Sequence, residues 1–194
     1  MEQSYRRRNR ALFVEPDPKK KLTQRERLKD GRKEETSMLI VDAQSVKNTM
    51  PAEQKGYDGG KKVSGIKRHI AVDTQGLPHA MAVTTANISD KHGASEMIGQ
   101  HALELQGVKK VLVDGGYVGK PFSDLIWTEL GAQTEVAKRS EFSTFEVIPK
   151  RWVVERTFSW FEHFRRLWRN CERKLSTSLA MMQLACISLL LKRI

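Results

Sequence analysis

At 194 residues the chain is long enough for one domain with a proper core, or one domain plus a short arm, but not for two complete domains. Thirty-four Lys/Arg against twenty-three Asp/Glu give a formal net charge of +11, which favours a polyanionic partner over a neutral metabolite. Cys171 and Cys186 stand fifteen residues apart with no CxxC and no close histidine pair, so neither a zinc site nor a disulfide framework is indicated, and a reducing cytoplasm fits.

The charge is unevenly spread. Residues 1–33 hold twelve Lys/Arg and five Asp/Glu, residues 150–174 hold eight and three, and residues 34–149 hold twelve and fifteen. Residues 1–37 read as a basic, largely flexible arm with a short helix around residues 22–29; their charge serves either a polyanion or solubility. The start, MEQSYRRRNRALFVEP, has no apolar run after its basic residues and does not read as a signal peptide.

From Met38 the run MLIVDAQSV predicts a buried strand carrying Asp42 near its end. Residues 48–64, with Pro51 and three glycines, predict a loop. IKRHIAVD and LPHAMAVTT, separated by Thr74-Gln75-Gly76, predict two antiparallel strands and a tight turn. A helix follows from Asp90, with Ser89 as N-cap and Ala94, Met97, Ile98, Ala102 and Leu105 at helical spacing. KKVLVDGGYVGK predicts a second buried strand ending in Asp114, KPFSDLIWTEL a helix, and AQTEVA a short strand. RWVVERTFSWFEHFRRLWRN and STSLAMMQLACISLLLKR close the chain as two helices, the second capped by Ser176. Polar residues interrupt the stretch from Leu175 to Leu191 too often for a membrane span, so it reads as a buried helix and no membrane partner is expected. The pattern is α/β: a mixed sheet in the order β-β-β-α-β-α-β-α with a carboxy-terminal helical pair.

Asp42 and Asp114 both stand at the polar end of a short apolar strand, where an open α/β sheet displays its functional side chains. Neighbouring strands would bring the two carboxylates together, and hard divalent ions such as Mg²⁺ or Mn²⁺ take such oxygen ligands. Two-metal phosphoryl transfer needs a third carboxylate. Glu155 supplies the candidate, on a helix face with Arg151, Glu162, Arg166 and Arg169, although Arg151 and Glu155 at i, i+4 read equally as an ordinary surface pair. Arginines beside the acid suit a phosphate backbone, and the expected DNA contacts are Arg151, Arg156, Arg165, Arg166, Arg169, Lys61, Lys62 and Lys67. The aromatic residues Trp152, Phe158, Trp160, Phe161, Phe164 and Trp168 read chiefly as core. GYDGGKK lacks the spacing of a phosphate loop, and His69 reads as structural.

The segments MLIVDAQSVKNT, GIKRHIAVDTQGLPHAMAVTTANISDKHGA, KVLVDGGYVGK and RWVVERTFSWFEHFRRL resemble the DDE-type transposases of bacterial insertion sequences, in particular the insertion-sequence-five branch. The resemblance runs from about Gly31 to the carboxyl terminus. It implies a ribonuclease-H-like DDE catalytic domain over residues 38–194, with Asp42, Asp114 and Glu155 binding two Mg²⁺ (or Mn²⁺) ions. It further implies cleavage at an element's end, joining of the freed 3′-hydroxyl to target DNA, assembly as a homo-oligomer on double-stranded DNA, and a cytoplasmic, nucleoid-associated setting. Of the family's Tyr, Arg, Glu, Lys signature, Arg151 and Glu155 match, whereas Ile148 holds the Tyr position and Glu162 the Lys position, leaving Arg165 or Arg166 as substitute cation. The resemblance also implies that full-length relatives usually carry an amino-terminal helical domain before this core, where this sequence has a basic arm, and the expectation is a product of a downstream reading frame or a truncated copy. The alternatives are a catalytically idle DNA-binding fragment that modulates a complete transposase, and a nuclease without strand transfer.

Overall fold

A computed structural model describes residues 18–49, 52–137 and 151–193. Its first element is α1 (Pro18–Lys29), which ends where Gly31 takes a left-handed φ of 70° and donates its N–H to the Leu28 carbonyl at 2.9 Å. The strands are β1 (Met38–Lys47), β2 (Gly56–Asp58), β3 (Val63–Val72), β4 (Pro78–Thr85), β5 (Lys110–Val113) and β6 (Gln133–Val136). The remaining helices are α2 (Asp90–His101), α3 (Lys120–Leu130), α4 (Trp152–Glu162) and α5 (Leu175–Leu191).

All six strands form one mixed sheet. β3 runs antiparallel to β1 over residues 65–72, while β2 pairs with residues 63–65 and β4 with residues 66–72. Since β1 occupies one edge of β3, β2 and β4 must lie end to end along the other. β5 pairs parallel with β1 and β6 parallel with β5, and a parallel return needs a crossover, which α2 and α3 supply.

Period-two alternation divides the core between the two faces of the sheet. Leu39, Val41, Val111 and Val113 pack with Ala94, Met97 and Ile98 of α2 and with Phe122, Ile126 and Leu130 of α3. On the opposite face, Ile40, Ile70, Val72 and Leu112 pack with Val153, Val154, Phe158 and Phe161 of α4 and with Met182, Ala185 and Cys186 of α5.

The expected hairpin is present as β3, β4 and a connection through residues 73–77. Ser89 caps α2 as the sequence predicts, accepting the His92 N–H at 3.2 Å. Four local expectations are corrected. Residues 48–64 are not all loop, because residues 56–58 pair antiparallel with residues 63–65 to form β2; Gly65 also lies so close to β1 that a Cβ there would be 2.0 Å from the Val46 carbonyl oxygen. α4 stops at Glu162 rather than near Asn170, because residues 163–168 close into tight turns (Phe164 N–H to Phe161 C=O, 3.0 Å; Leu167 N–H to Phe164 C=O, 2.7 Å). Ser176 lies inside α5, whose flanking residue is Lys174. Finally, the part of the arm that forms α1 packs on the domain, burying Lys19, Thr23, Glu26 and Arg27. Arg27 forms an ion pair with the fully buried Asp73, and its guanidinium also donates to the carbonyls of Lys33, Glu34 and Glu35. Residues 1–17 and Ile148 lie outside the described residues. Among the described residues no helix is long and apolar enough to cross a membrane.

Candidate active site

β1 and β5 set the first two acids by register. Their paired residues, Met38 with Lys110, Leu39 with Val111 and Ile40 with Leu112, each differ by 72 in sequence number, and so do Asp42 and Asp114. Continuing the ladder by two residues therefore places the carboxylates side by side on adjacent parallel strands. Alternation puts both on the face of Ile40 and Leu112, which α4 covers.

Asp114 follows the last residue of β5 with extended backbone (φ −86°, ψ 178°), and its Oδ1 accepts the Gly116 N–H at 2.8 Å, heading a single 3-10 turn. Asp42 Oδ1 accepts the Ala43 N–H at 2.8 Å. Burial pushes the Asp42 carboxyl up to about 6, and the Asp114 charge adds to the rise, against the Ala43 hydrogen bond, Arg151 and Lys61.

Glu155 lies in the first turn of α4, exposed, on the helix surface away from Val153, Val154 and Phe158. Arg151, just before the helix, joins the two elements. Its Nη2 donates to Asp114 Oδ2 at 3.2 Å, and its Nε stands 3.8 Å from Glu155 Oε1. Two of the expected acids thus share one guanidinium, whose charge also acts on the third, Asp42. Among the described residues no three acidic, histidine or cysteine side chains are gathered as an ion's ligand set.

The donor chemistry nevertheless suits a hard divalent cation. Asp114 and Glu155 flank one arginine whose charge also acts on Asp42, all oxygen donors of the kind such ions take, and two buried polar atoms, Arg151 Nε between those acids and the Tyr117 hydroxyl in the core against α2 and α3, have no hydrogen-bond partner among the described residues. Tyr117 is 1% exposed; burial, then the charges of Asp42, Asp90 and Asp114, raise its pKa well above the usual phenol range, so it stays protonated. Residue type alone gave no sign of this hydroxyl, which reads as an ordinary core aromatic after a glycine turn.

The basic residues sort differently from the sequence reading. Lys67 is corrected: it is 4% exposed, and its ammonium meets Asp90 at 2.7 Å, Asp58 at 3.2 Å and the Ile88 carbonyl at 2.7 Å, so it has no free reach toward a phosphate. It pairs with Ser45, three residues from Asp42 and so on the opposite face of the sheet from the acids, and it projects toward α2. Arg156 lies over the Trp152 ring at 4.6 Å and the Trp160 ring at 4.8 Å while donating to the Gln75 carbonyl at 2.8 Å, which makes it a clamp between α4 and the β3–β4 turn. Arg166 is paired with Glu172 at 2.5 Å, and Glu162, at the signature's Lys position, accepts from Gln44 at 2.7 Å. Lys61, Lys62, Arg165 and Arg169 are exposed, and Lys61 reaches the Ala43 carbonyl at 3.2 Å, next to Asp42.

Sequence reasoning also missed Arg68. It is 1% exposed in a strand, where a charged side chain is least expected, and it donates to the Leu167 carbonyl at 2.7 Å, fastening the turn after α4. Of the glycine segment GYDGGKK, the Gly60 and Lys61 N–H groups bind the Asp58 carboxylate at 3.1 and 3.0 Å, so those donors serve a turn and not a phosphate. His69 is fully buried with Nε2 2.9 Å from the Thr84 hydroxyl, and burial lowers its pKa to about 4, leaving the imidazole neutral.

Residues 33–191 match the family described as Transposase DDE domain. A protein of Burkholderia cepacia named as a transposase for insertion sequence element IS402 is 33% identical over 129 residues, 63% of this chain and 61% of the relative. A protein of Brucella ovis named as a transposase for insertion sequence element IS6501 is 27% identical over 131 residues, 65% of this chain and 98% of the relative. The chain thus spans about three-fifths of the length of the Burkholderia relative it matches.

Proposed function

We propose, for a chain that belongs to the transposase DDE-domain family, that it is the catalytic portion of an insertion-sequence transposase, cutting DNA and joining the freed end to a second DNA. Its motifs favour the insertion-sequence-five branch, and its sheet favours a ribonuclease-H-like assignment. The observation that carries the reading is the common register of Asp42 and Asp114 beneath the helix of Glu155. Two carboxylates on adjacent strands repel one another unless a cation stands between them.

Asp42, Asp114 and Glu155 would hold Mg²⁺ or Mn²⁺, two ions in the full site. Bound there, they would stabilise the attacking and leaving oxygens of an in-line displacement at phosphorus. The chain's own contribution is position. The backbone ladder fixes two acids, and α4 sets the third, held by Thr157 donating to the Gly76 carbonyl at 2.9 Å and by Arg156 on Gln75. Lys61, Lys62, Arg165 and Arg169 supply exposed positive charge for the phosphate backbone of double-stranded DNA, with Arg151 at the acids themselves. Assembly of two or more copies on DNA belongs to the same reading.

The test is nicking and strand transfer on a supercoiled plasmid bearing the flanking repeats, with Mg²⁺ or Mn²⁺, comparing wild type with Asp114→Asn. Metal-dependent products lost in the variant support the proposal. Salt-sensitive DNA binding without cleavage would instead identify a DNA-binding fragment, and nicking without joining would identify a nuclease.

A further inference from the structure

We propose that Arg151 is a resident cation that balances the acid cluster before metal arrives and must leave as metal enters, so that metal loading is coupled to phosphate binding. The inference rests on the metal-site reading of Asp42, Asp114 and Glu155 and goes beyond it.

The geometry describes a cation that is well placed but loosely held. Arg151 stands between acids from two elements, at 3.2 Å from Asp114 and 3.8 Å from Glu155, and its charge also acts on Asp42. A guanidinium has five N–H donors and pairs best with a carboxylate through two parallel bonds. Here it makes one hydrogen bond to Asp114, of ordinary length, while Nε is buried and unpaired. Its side chain is 24% exposed at the very start of α4, so rotation toward solvent does not require the helix to move.

A divalent ion among the same carboxylates would lie within a few ångströms of this guanidinium, and like charges at that distance repel strongly in a partly dry site. The two cations therefore compete for the same acids. A DNA phosphate at the rim offers Arg151 the bidentate partner that Asp114 does not, and moving the guanidinium outward frees the carboxylates. By linkage, whatever factor DNA adds to metal affinity, metal adds to DNA affinity. The protein alone then keeps its site closed to metal by its own arginine and opens it on substrate.

The experiment measures Mn²⁺ binding through the electron paramagnetic resonance signal of the free ion, for wild type, Arg151→Gln, Arg151→Lys and Asp114→Asn, each without DNA and with a short duplex. Without DNA, Arg151→Gln should bind Mn²⁺ about tenfold more tightly than wild type, within the usual range of coupling between sites. Arg151→Lys, which keeps the charge, should stay weak. Duplex DNA should tighten Mn²⁺ binding to wild type and leave Arg151→Gln nearly unchanged. Equal or weaker Mn²⁺ binding by Arg151→Gln, with Arg151→Lys binding like wild type to show that the position tolerates change, overturns the inference. If Asp114→Asn abolishes Mn²⁺ binding in that case, the metal-site reading survives alone. If Asp114→Asn binds Mn²⁺ as wild type does, both readings fall.

Discussion

Removing the charge of Asp42 should stabilise the metal-free protein, in a way that depends on pH. Burial raises the Asp42 pKa from 3.8 to about 6, so the folded protein holds this proton more tightly than the unfolded chain does. The group's stabilising contribution is complete below pH 3.8 and is lost as pH rises through about 6; above that, the ionised carboxylate carries its full cost. At about 1.4 kcal/mol per pH unit the difference is about 3 kcal/mol, reduced to about 2 kcal/mol by the partial access of water to the carboxylate. Asp42→Asn keeps an oxygen to accept the Ala43 N–H and cannot ionise. In urea titrations with a chelator present, the variant should exceed wild type by about 2 kcal/mol near about pH 7.5, roughly 4–8 °C in Tm, with the advantage fading toward about pH 4. Saturating Mn²⁺ should reverse the order by stabilising wild type alone. A variant no more stable than wild type near neutrality, or an advantage independent of pH, would refute the argument.

Two further changes probe the turn beneath α4. Gly76→Ala should cost about 2 kcal/mol in urea denaturation and lower nicking, because Gly76 has φ +82° and a Cβ there would lie 2.7 Å from the Thr157 hydroxyl, on the helix that carries Glu155. Arg27→Met should lower stability by about 3 kcal/mol above the Asp73 pKa, because it leaves a fully buried carboxylate without its cation. Burial pushes Asp73 up, but the His79 imidazole 3.6 Å away and hydrogen bonds from the Gln75 and Leu77 N–H groups outweigh it and hold the pKa to about 2, so Asp73 contributes stability above pH 3.8 that is lost only as pH falls through about 2. Thermal melts of Arg27→Met should therefore show the deficit unchanged from neutrality to mildly acid pH; a deficit that vanishes in that range would contradict this account.

The parts of the fold legible in the sequence are those where burial writes a period. MLIVD and KVLVD are apolar runs that each end in an acid, and α4 shows its buried stripe at Val153, Val154, Thr157, Phe158 and Phe161. α1 was harder to read because the side chains it buries, Lys19, Thr23, Glu26 and Arg27, are polar and carry no hydrophobic signal. Lys67 looked like a DNA contact for the converse reason: charge in a sequence is counted without its partners, and Asp58 and Asp90, nine and twenty-three residues away, are what consume it. The end of α4 was likewise invisible, since Arg68, which fastens the following turn, comes from a strand far upstream. Arg151 was placed beside Glu155 by helical spacing, but its reach to Asp114 follows only from tertiary contact.

The pairing of β1 with β5 has a consequence for how such a site can change over time. The 71 residues between Asp42 and Asp114 include turns and a hairpin that could lengthen or shorten without disturbing the acids, because the ladder fixes their juxtaposition and the intervening chain does not. What cannot drift is phase. Slipping either strand by a single residue would turn its aspartate into the apolar layer against α2 and α3, so insertions should be tolerated in the loops and purged from the strands. The distance between the two acids along the chain is therefore nearly neutral, and their parity on the pleat is what selection can see.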